Sequence, residues 1–298
     1  MKEGRTGAVA VAATAIGAAL LGLTPIAIRV SEVGPQATSF WRFVFALPIL
    51  FVLMLVGKPN PSRAQTGWLL AAGLLFGLEM SLWAQAVGLT TVVNATLLTN
   101  MTPIFAALIA WLLFRERLSA GVLAGGAIAL AGALLLALGR SEAAVSPAQA
   151  NKAWLGDALG LSAAVGYAGY LLIVRGLQGR VGIGATMFWA TLSACVFVLV
   201  LALILGEPLL PQTWRGWAML IALALVAQVA AQGLIAWGVG RLPIVMSSVL
   251  LWLQPLSAAV LSWILFGEKL GAVALLGAAL ILAGLFVVQR ARSAGEGR

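Results

Sequence analysis

The chain has 298 residues, of which 62% are hydrophobic and only 9% charged, with a mean hydropathy of +1.06. A soluble domain carries about a quarter charged residues, so too little polar surface is present to cover a water-exposed globule, and a membrane-spanning bundle is the class that fits. The net charge of +9 does not indicate nucleic-acid binding, because the basic residues sit singly or in pairs between apolar stretches and form no basic run or stripe.

Apolar stretches of about 20 residues place ten spans, at 8–28, 36–56, 67–88, 92–114, 120–139, 154–174, 184–205, 214–238, 243–266 and 270–289. Lys2 and Arg5 precede the first stretch as they would in a secretory signal. The run from Gly7 to Ile28 outlasts a signal's apolar core of about 7–15 residues, and is expected to be a retained helix. The longest connection is 140–153, with Ser141, Glu142, Pro147, Gln149 and Asn151. It divides the chain into a first half, 1–139, and a second, 154–298.

Charge sets the orientation. With the N-terminus inside, the cytoplasmic segments hold Lys2, Arg5, Lys58, Arg63, Arg115, Arg117, Arg175, Arg180, Arg241, Arg290, Arg292 and Arg298. The opposite side holds Arg29, Arg140, Lys152, Arg215 and Lys269, and Arg42 lies within a span. This bias, with an even number of spans, predicts both termini in the cytoplasm of an inner-membrane protein.

A shift of 152 residues brings Pro103-Ile104-Phe105-Ala106-Ala107 onto Pro255-Leu256-Ser257-Ala258-Ala259. It also brings Phe114-Arg115-Glu116-Arg117-Leu118 onto Phe266-Gly267-Glu268-Lys269-Leu270, Gly125 onto Gly277 and Gly132 onto Gly284. Matches of this density indicate duplication. Five spans per copy is odd, so the expected fold is all-α, ten transmembrane helices as two inverted five-helix repeats, with a site between them near the midplane and alternating access.

The stretch from Ala84 to Gly139 contains Thr96-Leu97-Leu98, then Met101-Thr102-Pro103 and the Phe114–Leu118 turn. It resembles the EamA repeat of the drug/metabolite transporter superfamily, and 234–289 resembles a second copy. The resemblance implies a ten-helix carrier of metabolites or drugs, most often an exporter driven by a substrate or ion gradient.

Polar groups within spans face a bundle interior or a cavity. Phe76, Glu79, Met80 and Trp83 share a face of span 3, and the shift carries that face to Gln228 and Gln232 on span 8. Thr96, Thr99, Asn100 and Pro103 form a face on span 4 that maps to Ser248, Leu251, Trp252 and Pro255 on span 9. Span 6 offers Tyr167 and Tyr170, and span 1 offers Thr24. The candidate substrate-binding residues are Glu79, Trp83, Thr99, Asn100, Tyr167, Gln228, Gln232 and Trp252, in one cavity with aromatic walls.

Glu79 has two readings: a partner for a substrate amine or proton, or a counter-ion for Arg42. The long stem of Arg42, near the outer end of span 2, would also let it snorkel to the headgroups. The two tryptophans and the glutamines fit helix packing and interhelical hydrogen bonding as well as ligand contact. Pro103 and Pro255 remove backbone donors and are expected to bend spans 4 and 9, which makes them candidate gating hinges. The glycines of spans 5 and 10 permit close helix approach and mark scaffold.

Cys195 stands alone and histidine is absent, so the sequence offers no disulfide, no metal site and no imidazole base. With no Walker A loop and one acid well inside a span, neither an ATP-driven pump nor an enzyme is expected, and no cofactor is implied. A channel would show rings of like groups along one path. The setting of Glu79 after Leu74-Leu75-Phe76 is similar to that in the aromatic amino-acid exporters of the superfamily. That resemblance implies export of aromatic or other neutral amino acids, with an efflux carrier for drugs or amphipathic cations as the alternative. The expected partners are a small-molecule substrate and membrane lipids, and the reading allows a monomer.

Overall fold

The computed structural model describes residues 2–57, 59–114, 119–138, 152–177, 179–239, 241–242, 250–268 and 271–296. The helices are α1 (Lys2–Leu21), α2 (Leu23–Val30), α3 (Pro35–Val56), α4 (Arg63–Leu89), α5 (Val92–Thr99), α6 (Thr102–Phe114) and α7 (Ala120–Leu138) in the first half. The second half holds α8 (Ala153–Leu177), α9 (Ile183–Ile204), α10 (Trp214–Leu223), a π-helical stretch (Ala224–Ala231), α11 (Gln232–Val239), α12 (Leu253–Phe266) and α13 (Ala272–Glu296). Among the described residues, eight helical stretches are long and apolar enough to cross a membrane, and two shorter apolar ones, Ala120–Leu136 and Leu253–Phe266, accompany them. The fold is the expected all-α bundle of ten spans.

Local chemistry sets the ends. Ser62 and Gln65 form a reciprocal capping box at the start of α4. Thr91 and Thr213 accept the Asn94 and Gly216 amides, each at 3.1 Å, at the starts of α5 and α10. α12 ends on Gly267 with φ of 67°, a left-handed cap that glycine adopts without strain. The turn before it in the alignment, 115–118, lies outside the described residues, as do most of the 140–153 connection, Ser248, Lys269 and Leu270.

The first and fourth spans are broken. The first divides at Gly22, where an added Cβ would stand 2.9 Å from both Ala258 N and Gln254 O of α12; only glycine lets the two backbones meet there. The fourth divides between α5 and α6. Pro103 has no N–H to offer Thr99, and the Thr99 carbonyl accepts the Thr102 hydroxyl instead, at 2.8 Å. The break expected at Pro103 is therefore present. Pro255 likewise lies in the first turn of α12, just after the turn at Trp252.

α7 and α13 pack along their glycines. A Cβ on Gly125 would meet Gly284 O at 2.7 Å, and one on Gly132 would meet Gly277 O at 2.6 Å. Position numbers rise along one helix as they fall along the other, so the pair is antiparallel. Larger side chains would hold these backbones apart.

Candidate substrate site

Between α4, α8, α9 and the π-helical stretch lies a cavity of about 40 Å³. Phe76, Tyr167, Tyr170, Met187, Ala190, Thr191, Gln228 and Gln232 line it. Its volume admits ordered water but is well short of a small-molecule pocket of about 300–1,000 Å³. An organic solute enters only if the walls move. A larger recess of about 240 Å³, around Asn60, Pro61, Thr66 and Trp189, sits at the end of the bundle where α3 stops and α4 starts.

The aromatic wall is built by spacing. Tyr167 and Tyr170 are three residues apart on α8, so their rings lie on one face, stacked at 5.5 Å and 18°. Phe76 of α4 meets Tyr170 at 5.2 Å and Phe43 of α3 at 5.6 Å. Gln228 comes from the π-helical stretch, a geometry that rotates side chains off the ordinary helical face and recurs at functional sites.

Behind this wall are two buried ionisable side chains. Arg42 is 3% exposed and Glu79 4%. Arg42 therefore does not snorkel to the headgroups: its stem points into the bundle, where Nε donates to Gln228 Oε1 at 3.0 Å. Its Nη1 lies 3.9 Å from Met80 Sδ, and its guanidinium lies 6.0 Å from the Phe43 ring centroid. Glu79 Oε2 is buried with no hydrogen-bond partner. No Arg42 nitrogen comes within 4.0 Å of a Glu79 oxygen, so the two are neighbours in one apolar layer without forming an ion pair.

The predicted site residues separate into groups. Tyr167, Gln228 and Gln232 line the cavity. Glu79 stands three residues from Phe76 on α4, behind the lining, and Trp83 packs with Phe43, Phe76 and Met80 in the same core cluster. Thr99, Asn100 and Trp252 lie elsewhere, contrary to the single cavity expected from their spacing. Thr99 Oγ1 lies within donor reach of Ala95 O at 2.9 Å and of Gly160 O on α8 at 3.1 Å, and Asn100 Nδ2 donates to Thr96 O at 2.7 Å; the two side chains serve the helix break and its contact with α8. Trp252 packs in a second cluster and meets Phe286 edge-on at 6.3 Å. Sequence reasoning missed Met187, Ala190 and Thr191 of α9, and it missed the burial of Arg42.

The opposite end of the bundle is tied by carboxylates, each bridging the two halves. Glu268 pairs with Arg29 and accepts the Val92 amide at the N-terminus of α5 at 3.1 Å. Arg29 also donates to Thr90 O at 2.9 Å and lies 5.2 Å from the Phe266 ring centroid. Asp157 accepts from Thr90 Oγ1 at 2.7 Å and Asn94 Nδ2 at 3.1 Å. Glu207 caps α3 through the amides of Gln36 and Ala37 at 2.9 and 3.0 Å. Burial still raises the Glu207 pKa above the usual carboxylate value, against the downward pull of those two donors. Glu32 takes the Thr213 hydroxyl and the Gln212 and Thr213 amides, and the Thr213 hydroxyl bond leads in lowering its pKa.

A ten-span bundle with a small polar and aromatic cavity, tied at one end and hollow toward the other, defines a polytopic membrane transporter. The chain belongs to the EamA-like transporter family, whose profile matches residues 7–138 and again 154–290. It is similar to a probable terminal-alkyne amino-acid exporter of Streptantibioticus cattleyicolor, 30% identical over 69% of this chain and 66% of that one, just under two thirds of its length. It is also similar to the uncharacterized transporter YetK of Bacillus subtilis, 25% identical over 87% of this chain and 80% of that one. A crystal structure 19% identical in sequence shares the fold with a TM-score of 0.60, covering 93% of this chain and 95% of the other.

Proposed function

We propose that this transporter exports aromatic and other neutral amino acids from the cytoplasm across the cell inner membrane by alternating access. The observation that carries the reading is Glu79, buried behind the Phe76–Tyr167–Tyr170 wall with its Oε2 lacking a hydrogen-bond partner. A carboxylate in an apolar layer favours a cationic partner, and the rings suit an apolar side chain. The amino-acid exporter among the relatives supports the same class.

Orientation rests on the basic bias, which puts both termini in the cytoplasm and the carboxylate ties outside. The cavity then lies nearer the cytoplasm: Met187 is four residues, about 6 Å, from the inner start of α9. The inverted-repeat reading, with 1–139 and 154–298 as the copies, is supported by the glycine seam. Gly125 meets Gly284 and Gly132 meets Gly277, whereas the shift equates Gly125 with Gly277 and Gly132 with Gly284. Each position thus contacts the equivalent of the other. That reciprocity belongs to a two-fold axis perpendicular to antiparallel helices, hence one in the membrane plane. Pro103 and Pro255 are the hinges on this reading.

Efflux from cells preloaded with radiolabelled phenylalanine, tryptophan and threonine tests the function. Cells with the protein should lose label faster than cells without it, and Glu79→Gln should slow the loss. Equal efflux of all three with and without the protein refutes the substrate claim, and efflux of an amphipathic dye in their place would favour the drug carrier.

A further inference from the structure

We propose that Arg42 is the receptor for the substrate's carboxylate, which would displace the Gln228 amide oxygen from it, so that the carrier recognises zwitterions. This deepens the amino-acid reading and rests on it.

The argument begins with desolvation. A buried guanidinium is costly unless paired or fully hydrogen-bonded, and it carries five N–H donors in a planar fork. Arg42 has one oxygen acceptor in the structure, Gln228 Oε1 at 3.0 Å from Nε; its further contacts are a thioether at 3.9 Å and a ring face. A residue buried only to neutralise Glu79 would be expected to close into an ion pair with it, and it does not. Glu79 Oε2 is likewise left without a partner. Each side chain therefore keeps hydrogen-bonding capacity for an incoming group of complementary charge.

Access comes through Gln228. This one side chain both lines the cavity and accepts from Arg42. Rotating its amide away exposes the fork to the cavity beside Tyr167. A carboxylate would then replace a neutral carbonyl acceptor with a charged, bidentate one, which is the stronger partner for guanidinium. Glu79 stands by for the ammonium. A cation without a carboxylate would leave Arg42 on its amide and gain nothing from it.

Binding to the purified full-length protein tests this, using phenylalanine, its methyl ester (ammonium without carboxylate) and 3-phenylpropionate (carboxylate without ammonium). The wild type should bind phenylalanine about thirtyfold or more tighter than the ester. Arg42→Gln should erase that difference by weakening phenylalanine alone. Arg42→Gln removes a buried group and is the variant most exposed to misfolding. Gln228→Glu provides an independent arm: it places a permanent carboxylate on Arg42, so it should keep or raise the melting temperature, lose phenylalanine and 3-phenylpropionate, and keep the ester. Phenylalanine bound by Gln228→Glu at wild-type strength, or equal wild-type affinity for phenylalanine and ester, overturns the receptor role while leaving amino-acid export standing. Wild type that binds the ester but neither carboxylate-bearing solute overturns both.

Discussion

Removing the charge from Glu268 should open the carrier on the side where α2, α5 and α12 meet. The pair with Arg29 is mostly buried, with side chains 15% and 4% exposed. Breaking a buried pair costs about 3–5 kcal/mol. Glu268→Gln retains an oxygen for the Val92 amide, and Arg29 retains Thr90 O, so about 2–3 kcal/mol is the share that belongs to the charge. On the alternating-access reading these contacts exist only in the state closed at this end. The variant should then shift the closed-to-open ratio about thirtyfold to 150-fold, moving a carrier poised at about 99:1 most of the way to even. Thr24, buried about 8 Å below Arg29 along α2, is a suitable reporter. In a Cys195→Ala background, Thr24→Cys should react with an impermeant maleimide added outside intact cells many times faster when Glu268→Gln is present. An unchanged rate, in a protein that still melts cooperatively, would show that the pair is ornamental to closure and refute the reasoning.

The glycine seam should tolerate no added bulk. Gly132→Val places a Cβ 2.6 Å from both Gly277 O and Ile281 N, forcing α7 and α13 apart. It should lower stability by about 1–3 kcal/mol, read as a reduced melting temperature, whereas Gly67→Ala, with open space at its Cβ, should change it little. On the alternating-access reading, Pro103 and Pro255 should act at opposite faces. Pro103→Ala and Pro255→Ala restore a backbone donor, and accessibility of a cavity-facing cysteine, measured from each side, should shift in opposite directions in the two variants.

The spans were legible because a helix that crosses a membrane must satisfy its own backbone and carry about 20 apolar residues, and both demands show in a single sequence. Tyr167, Gln228 and Gln232 were legible for a related reason: polar groups at that depth need a cavity or a partner. Thr99 and Asn100 look the same in the sequence, yet a hydroxyl or carboxamide reaches its own helix carbonyl, and nothing in the residue type distinguishes the two uses. Met187, Ala190 and Thr191 carried almost no contrast within 184–205, an almost wholly apolar stretch. The π-helical stretch leaves no mark in composition, because a change of hydrogen-bond register alters no residue. Arg42 was misplaced for the opposite reason. Seven residues from the start of α3, it lies about 10 Å below that end, a depth from which a long stem reaches either headgroups or core. Neighbours on α4 and the π-helical stretch decide, and they are remote in sequence.

The distribution of contacts between the halves indicates how such a carrier can open without unfolding. Glu32, Asp157, Glu207 and Glu268 each tie one half to the other at a single end, through backbone amides, hydroxyls, an amide side chain and Arg29. Water can take over each of those bonds, so each is worth far less in net terms than the same contact would be away from solvent. They are strong enough together to hold one state and weak enough singly to be released in turn. The α7–α13 seam is different in kind. Its glycine backbones approach closely through van der Waals contact, with their polar groups already engaged within their own helices. A rocking motion of the halves would therefore leave that seam together as the pivot and exchange the carboxylate ties with solvent. On that reading the Pro103 break would supply compliance in between, because the regular helix is interrupted there and Thr102 Oγ1 holds the carbonyl the proline cannot serve.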